Sequence, residues 1–127
     1  LKRMYESRFS ALKTAYEAIK ISSGNSFVHE TESQVILNGS YNISFTMDLV
    51  LKDMSLFNNL SLKNNIPLEL SPLVLEIFKD GQKKYGPRAW SSMIVKRLED
   101  ACNISLRAEG FPSELTDSEP EEKGHQI

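Results

Sequence analysis

The sequence predicts an all-α protein, a bundle of about five or six helices around a central one, with no sheet of note. Apolar residues recur at steps of three and four along most of the chain, the spacing of helices that bury one face. No segment shows the sustained alternation of apolar and polar residues that marks a half-buried strand. Short turn-like segments join the predicted helices, which is typical of a helical bundle.

The predicted central helix runs from about Phe45 to Lys63 and is apolar almost all round. A helix of this kind usually lies inside a domain. However, Lys52 and Asp53 stand side by side in its middle, and charged side chains are rarely buried unless they are paired or functional. The alternative is an ordinary helix pair between Asp48 and Lys52, which would be worth only about 0.3–0.5 kcal/mol.

The residues before this helix predict shorter helices. Residues 1–21 have an amphipathic pattern, which we expect Ser10 to divide by capping a second helix. After the turn at residues 22–26, Ser26 is the predicted N-cap of a helix that Gly39 ends.

The residues after the central helix predict two more. Ser71 followed by Pro72 predicts a helix start, with a capping hydroxyl and a proline at the first helical position. That helix ends before Gly86. The last predicted helix begins near Ser91 and directs Leu98 toward the core.

Residues 1–102 are therefore predicted to form the helical domain, and residues 103–127 a C-terminal extension. Phe111 follows a glycine in this extension and is expected to dock on the helices. The last part, residues 117–127, holds four acidic residues and one lysine and is expected to be disordered.

The composition is that of one soluble globular domain: 127 residues, of which 40% are apolar and 25% charged. A net charge of −2 gives no basic excess for nucleic acid or an anionic membrane, and no apolar run approaches the ~20 residues of a membrane span. The single cysteine, Cys102, cannot form an internal disulfide, which favours a reducing compartment and hence the cytoplasm.

The pair His29 and Glu30 suggests a metal site, but the sequence does not complete one. The zinc-protease motif needs a second histidine four residues after the first, and Ser33 stands there. His125 lies in the polar tail. We therefore predict no metal.

Three motifs, in order, resemble the C-terminal helical domain of the β-hydroxyacid dehydrogenases, the family of 3-hydroxyisobutyrate dehydrogenase, of which 6-phosphogluconate dehydrogenase is a distant relative. The most specific is the pattern F-x-x-x-L-x-x-K-D-x-x-L, which comprises Phe45, Leu49, Lys52, Asp53 and Leu56. The others are residues 16–19 followed by 22–26, and residues 64–70. The resemblance runs from about Leu12 to about Phe78.

The resemblance implies hydride transfer between NAD or NADP and a small 3-hydroxy acid. It also implies an N-terminal Rossmann domain that binds most of the cofactor, and a homo-oligomer. This chain has no G-x-G-x-x-G and begins at Leu1, so we expect it to be an excised or partial C-terminal domain, inactive by itself. The family's catalytic lysine precedes an asparagine by four residues, a pattern that neither Lys2 nor Lys13 completes. We therefore assign no catalytic residue.

The resemblance also implies site residues. Lys52 matches the family lysine that reaches the nicotinamide side of the cofactor, and Phe45 and Asp53 match positions beside the active site. Phe45 and Lys52 are seven residues apart, which on one helix would place them on nearly the same face and ~10 Å apart. Ser23 and Gly24 are further candidates for the edge of the substrate cleft, with a plain turn as the alternative.

A different class of function fits the same residues: an all-α interaction or oligomerisation module with no catalytic role. In that case the apolar helix faces would serve a partner protein only. A glycine-rich βαβ segment encoded upstream of Leu1 would favour the dehydrogenase, and its absence the interaction module.

Overall fold

The computed structural model describes residues 2–116 and residue 124. The prediction of an all-α fold is confirmed, since the described residues form five α-helices, a 3₁₀ turn and no strand. Thr46 and Trp90 form an isolated antiparallel bridge. The elements are α1 (Lys2–Lys20), α2 (Phe27–Asn38), α3 (Met47–Lys63), α4 (Leu70–Tyr85), the 3₁₀ turn (Ser91–Val95) and α5 (Lys96–Cys102).

Local signals set both ends of α2. The Ser26 hydroxyl accepts a hydrogen bond from the His29 N–H at 3.0 Å, so the predicted N-cap is confirmed. Gly39 ends α2 with φ 93°, a left-handed conformation that glycine adopts without penalty. The predicted break at Ser10 is wrong, because α1 continues through it.

Helix α3 packs along α4, and a six-residue connection, 64–69, makes the two helices a hairpin. The prediction that α3 lies inside the domain is wrong for this chain. Leu56, Phe57 and Leu60 are 62%, 55% and 59% exposed. Its buried residues are Met47 at the start and Ser61 near the end.

Helix α4 begins one residue before Ser71, which does not cap it. The Ser71 hydroxyl instead donates to Asn58 Oδ1 at 2.7 Å and so ties α4 to α3. Farther along, Gly81 is buried where α4 passes closest to its neighbours. A Cβ there would lie 2.6 Å from Ile94 Cδ1 and 3.4 Å from Met47 Cε, which explains why this helix carries a glycine.

The residues that the last helix, α5, buries differ from those predicted. A 3₁₀ turn precedes α5, and Glu99 is the buried residue of α5. Leu98, predicted to face the core, is 67% exposed, whereas Glu99 is 3% exposed.

Residues 104–116, here called the strap, return along α1 and α2. The core cluster of Tyr16, Leu37 and Ala108 includes one strap residue, and the Ala108 N–H donates to the Leu37 carbonyl at 3.0 Å. The predicted docking of Phe111 is confirmed by its edge-to-face contact with Tyr16, with ring centroids 5.1 Å apart. The predicted disorder of residues 117–127 lies outside the described residues, Gly124 excepted.

Candidate functional site

Lys52 and Asp53 lie together on the exposed side of α3. Lys52 Nζ is 3.2 Å from Asp53 Oδ1, and the two side chains are 60% and 57% exposed. An ion pair this exposed contributes ~0–1 kcal/mol, so the ammonium group can leave it for a ligand at little cost. The ordinary helix pair with Asp48 is not the one that forms, since Lys52 pairs with Asp53.

Asp48 belongs to a separate group of polar side chains at the start of α3. One of its oxygens accepts hydrogen bonds from the Thr46 hydroxyl and from the Leu49 N–H, and the other lies 3.2 Å from Arg88 Nη1. The Thr46 hydrogen bond lowers the pKa of Asp48, partial desolvation opposes this, and Arg88 lowers it further. A carboxylate in the first turn of a helix also complements the helix dipole.

Phe45 lies just before α3 and not on it. Thr46 is the N-cap, with φ −96° and ψ 161°, so the chain at this point is extended. The expected two-turn spacing between Phe45 and Lys52 is therefore wrong. Extended backbone allows pairing instead: the Phe45 carbonyl accepts from the Ser91 N–H at 2.8 Å, and Met47 N–H donates to the Ala89 carbonyl at 2.9 Å.

Ser23 and Gly24 lie in the turn between α1 and α2, away in sequence from the other candidates. The Gly24 N–H donates to the Ser22 hydroxyl at 3.1 Å, and the Asn25 N–H donates to the Ser22 carbonyl at 3.2 Å. These bonds are those of a plain exposed turn, the alternative considered for these residues. Of the predicted site residues, Lys52 and Asp53 are in direct contact. Phe45 and the Ser23–Gly24 turn are each held by hydrogen bonds to other residues.

His29 is used inside the protein. Its Nε2 lies 2.9 Å from the Tyr16 carbonyl oxygen and its Nδ1 lies 3.2 Å from the Ser33 hydroxyl. The Tyr16 and His29 rings are 4.9 Å apart, centroid to centroid. Within the described part of the chain, no group of three or more His, Cys, Asp or Glu side chains could hold a metal ion.

The helices that carry the candidate residues also expose apolar side chains. On α3 these are Leu56, Phe57 and Leu60, and on α4 Leu70 and Leu73, at 74% and 59% exposure, are the largest. Exposed apolar groups on this scale are typical of surfaces that another protein or domain covers. None of the helices within residues 2–116 is both long and apolar enough to span a membrane.

No sequence pattern indicated the roles of two residues, Arg88 and Glu99. Arg88 pairs with Asp48 but follows a proline in a loop, where no local pattern predicts an ion pair. Nothing in the sequence indicated that Glu99 is buried: its neighbour Leu98 was expected to face the core, and one of its partners, Tyr41, is 58 residues away.

Comparison with known proteins identifies the family to which most of the chain is similar. Residues 11–98 match a family model described as "NAD-binding of NADP-dependent 3-hydroxyisobutyrate dehydrogenase". The chain is also similar to 2-(hydroxymethyl)glutarate dehydrogenase of Eubacterium barkeri, with 30% identity over 95 residues, which are 74% of this chain and 32% of that protein. The chain therefore spans about a third of the length of that relative. No solved structure matches it.

Proposed function

Because the chain belongs to the 3-hydroxyisobutyrate dehydrogenase family, we propose that it is the C-terminal helical domain of an NAD(P)-dependent β-hydroxyacid dehydrogenase. The observation that carries the proposal is the family match over residues 11–98, which includes Lys52 and Asp53. The exposure of these two side chains supports it, because a residue that serves a cleft between two domains must be reachable from outside its own domain.

The names of the relatives suggest a substrate class. Both 3-hydroxyisobutyrate and 2-(hydroxymethyl)glutarate carry a CH₂OH group on the carbon next to a carboxylate. We propose that the substrate shares this group and that the product is the corresponding semialdehyde. The nicotinamide cofactor, when bound, supplies the hydride chemistry, and the protein binds and orients the substrate.

In this proposal Lys52 is the residue of the chain that contacts the cofactor. Its ammonium group has three donors and a weakly held partner in Asp53, so it can donate hydrogen bonds to a group presented by another domain. Phe45 and Asp53 would line the substrate pocket, with Ser23 and Gly24 at its edge. No residue of this chain is assigned as the general acid or base.

The partners in this proposal are an N-terminal Rossmann domain and a second subunit. Between them they would cover the apolar side chains that α3 and α4 expose, such as Phe57 and Leu73. We place the protein in the cytoplasm, where its single cysteine, the exposed Cys102, would stay reduced.

The proposal is tested by assaying the protein with its N-terminal domain. We expect NAD(P)⁺-dependent oxidation of 3-hydroxyisobutyrate or 2-(hydroxymethyl)glutarate, followed at the absorbance of the reduced nicotinamide. The 127-residue chain alone should show no turnover and no tight cofactor binding by calorimetry. Tight stoichiometric binding of NAD⁺ to the chain alone would contradict the proposal.

The exposed apolar side chains also favour a second candidate, a non-catalytic interaction or oligomerisation module. The coding sequence upstream of Leu1 separates the two. A glycine-rich βαβ segment and a Lys-x-x-x-Asn helix would favour the dehydrogenase, and their absence would favour the interaction module.

A further inference from the structure

A buried carboxylate connects three separate segments of the chain. Glu99 is 3% exposed. Its Oε2 accepts a hydrogen bond from the Tyr41 hydroxyl at 2.5 Å. Its Oε1 accepts from the Leu106 N–H at 2.6 Å and from Arg107 Nη1 at 3.0 Å. Both oxygens are thus hydrogen-bonded, as a buried carboxylate requires.

Arg107 completes this group, which we call the Tyr41–Glu99–Arg107 clasp. Its Nη2 donates to the Tyr41 hydroxyl at 2.7 Å, so each of the three side chains contacts the other two. The guanidinium carbon also lies 5.1 Å from the centroid of the Tyr41 ring. The clasp joins the loop between α2 and α3 to α5 and to the strap.

The backbone of Tyr41 indicates that this loop is held in place by its surroundings. Tyr41 has φ 55°, a left-handed conformation that costs roughly 1–2 kcal/mol for a side chain of this kind. Such a conformation persists only where neighbouring groups impose it. Here the Tyr41 N–H donates to the Val35 carbonyl at 3.1 Å, and the Tyr41 carbonyl accepts from the Ser92 hydroxyl at 2.7 Å.

The same loop leads directly into the candidate site. Three residues separate Tyr41 from Phe45, and one of them, Ser44, is also left-handed, with φ 56°. The loop is then fixed at its far end by the bonds from Met47 to Ala89 and from Ser91 to Phe45. The position of Phe45 therefore depends on both ends of a short, strained loop.

We propose that Tyr41, Glu99 and Arg107 are positioning residues, through which the strap fixes the loop that presents Phe45 and the first turn of α3. That this loop borders a substrate cleft rests on the proposed function. The coupling of strap and loop is a property of this chain alone and can be measured without a substrate.

The first test uses the unmodified chain and native-state amide hydrogen exchange in low concentrations of denaturant. The Ala108 N–H reports on the strap, and the Met47 and Ser91 N–H groups report on the loop. We expect these three amides to open together, with the same dependence on denaturant, as one cooperative unit. Opening of Ala108 while Met47 and Ser91 stay protected would overturn the proposal.

The second test compares Arg107→Met with Arg97→Met, which removes a partly buried arginine that binds Asp80 and not the clasp. We expect Arg107→Met to speed exchange at Ala108 and at Met47 by about tenfold or more. The Gly86 N–H, bonded to Gln82 in α4, should keep its rate, and Arg97→Met should leave Ala108 and Met47 unchanged. Faster exchange at Ala108 alone, or at all amides equally, would overturn the coupling.

A third measurement tests whether the clasp affects catalysis at the proposed cleft. In the enzyme with its N-terminal domain, Arg107→Met is expected to lower kcat while Arg97→Met is not. If the exchange experiments show coupling but kcat is unchanged, the positioning role is overturned. An unmodified enzyme without dehydrogenase activity would instead contradict the proposed function, so the two failures are distinguishable.

Discussion

The ionisation of Glu99 is linked to the stability of the fold. Burial raises the pKa of this carboxyl group, but the hydrogen bonds from Tyr41 and Leu106 and the charge of Arg107 lower it more, so that it lies below its ordinary value. A carboxyl group whose pKa is lower in the folded state stabilises the fold above its unfolded pKa. That contribution is lost as the pH falls through the folded value.

We therefore expect the free energy of unfolding to fall in acid, below about pH 4.3, the ordinary pKa of a glutamate. Glu99→Gln should unfold about 1–3 kcal/mol more easily at neutral pH, because Arg107 then lacks its charged acceptor. The variant should also lose less stability between pH 6 and pH 3 than the unmodified protein. Urea midpoints across this range give both values. Parallel pH profiles for the two proteins would contradict the assignment.

Residues with local partners were predictable, and residues with distant partners were not. Ser26 and Gly39 act on backbone groups a few residues away, so their types alone indicated a cap and a stop. Tyr41 and Glu99 are 58 residues apart in the sequence, and no local pattern predicts the hydrogen bond between them. Lys52 and Asp53 stood out as charged residues within an apolar helix, but only the motif shared with the family gave Lys52 a role.

At the scale of elements, the close packing of α4 depends on Gly81. The residue lies where α4 meets Ile94 of the 3₁₀ turn and Met47 of α3. A single methyl group there would meet the flexible ends of both side chains, and the higher helix propensity of alanine, about 1 kcal/mol, would offset much of the clash. A branched side chain has no such room.

We expect Gly81→Val to lower the free energy of unfolding by about 1–3 kcal/mol through overpacking. Gly81→Ala should have a much smaller effect. Valine has a higher intrinsic helix propensity than glycine, so propensity alone predicts no loss for Gly81→Val. Lys83→Val, at an exposed position of the same helix, shows the effect of a valine without overpacking. Thermal or urea unfolding of the three variants measures the difference. A Gly81→Val variant as stable as Lys83→Val would contradict the packing described for this contact.

Most of the helices could be read from the sequence, but the predicted break at Ser10 is wrong and the residues before α3 and α5 are not α-helical as predicted. Phe45 belongs to the apolar pattern of α3, yet the backbone there pairs with residues 87–91 and is extended. The 3₁₀ turn before α5 was not predicted either, and it packs against α2 and α4. In both cases tertiary contacts accompany the departure from the local pattern.

For the whole molecule, the core lies elsewhere than the sequence indicated. The apolar pattern pointed to the whole of α3, but only Met47 and Ser61 of that helix are buried, and the core cluster joins α1, α2 and the strap through Tyr16, Leu37 and Ala108. An apolar pattern shows that a face will be covered, and it does not show whether the covering residues belong to the same chain. The exposed side chains of α3 are therefore the feature of this molecule that the proposed second domain and subunit would explain.

The substitution Lys52→Ala, compared with Lys63→Ala on the same helix, tests this account most directly. Both lysines are exposed, so both variants should fold with unchanged helical circular dichroism. In the enzyme with its N-terminal domain, we predict that Lys52→Ala lowers kcat/KM by about tenfold or more, while Lys63→Ala does not change it. Equal kcat/KM values for Lys52→Ala and the unmodified enzyme would contradict the account.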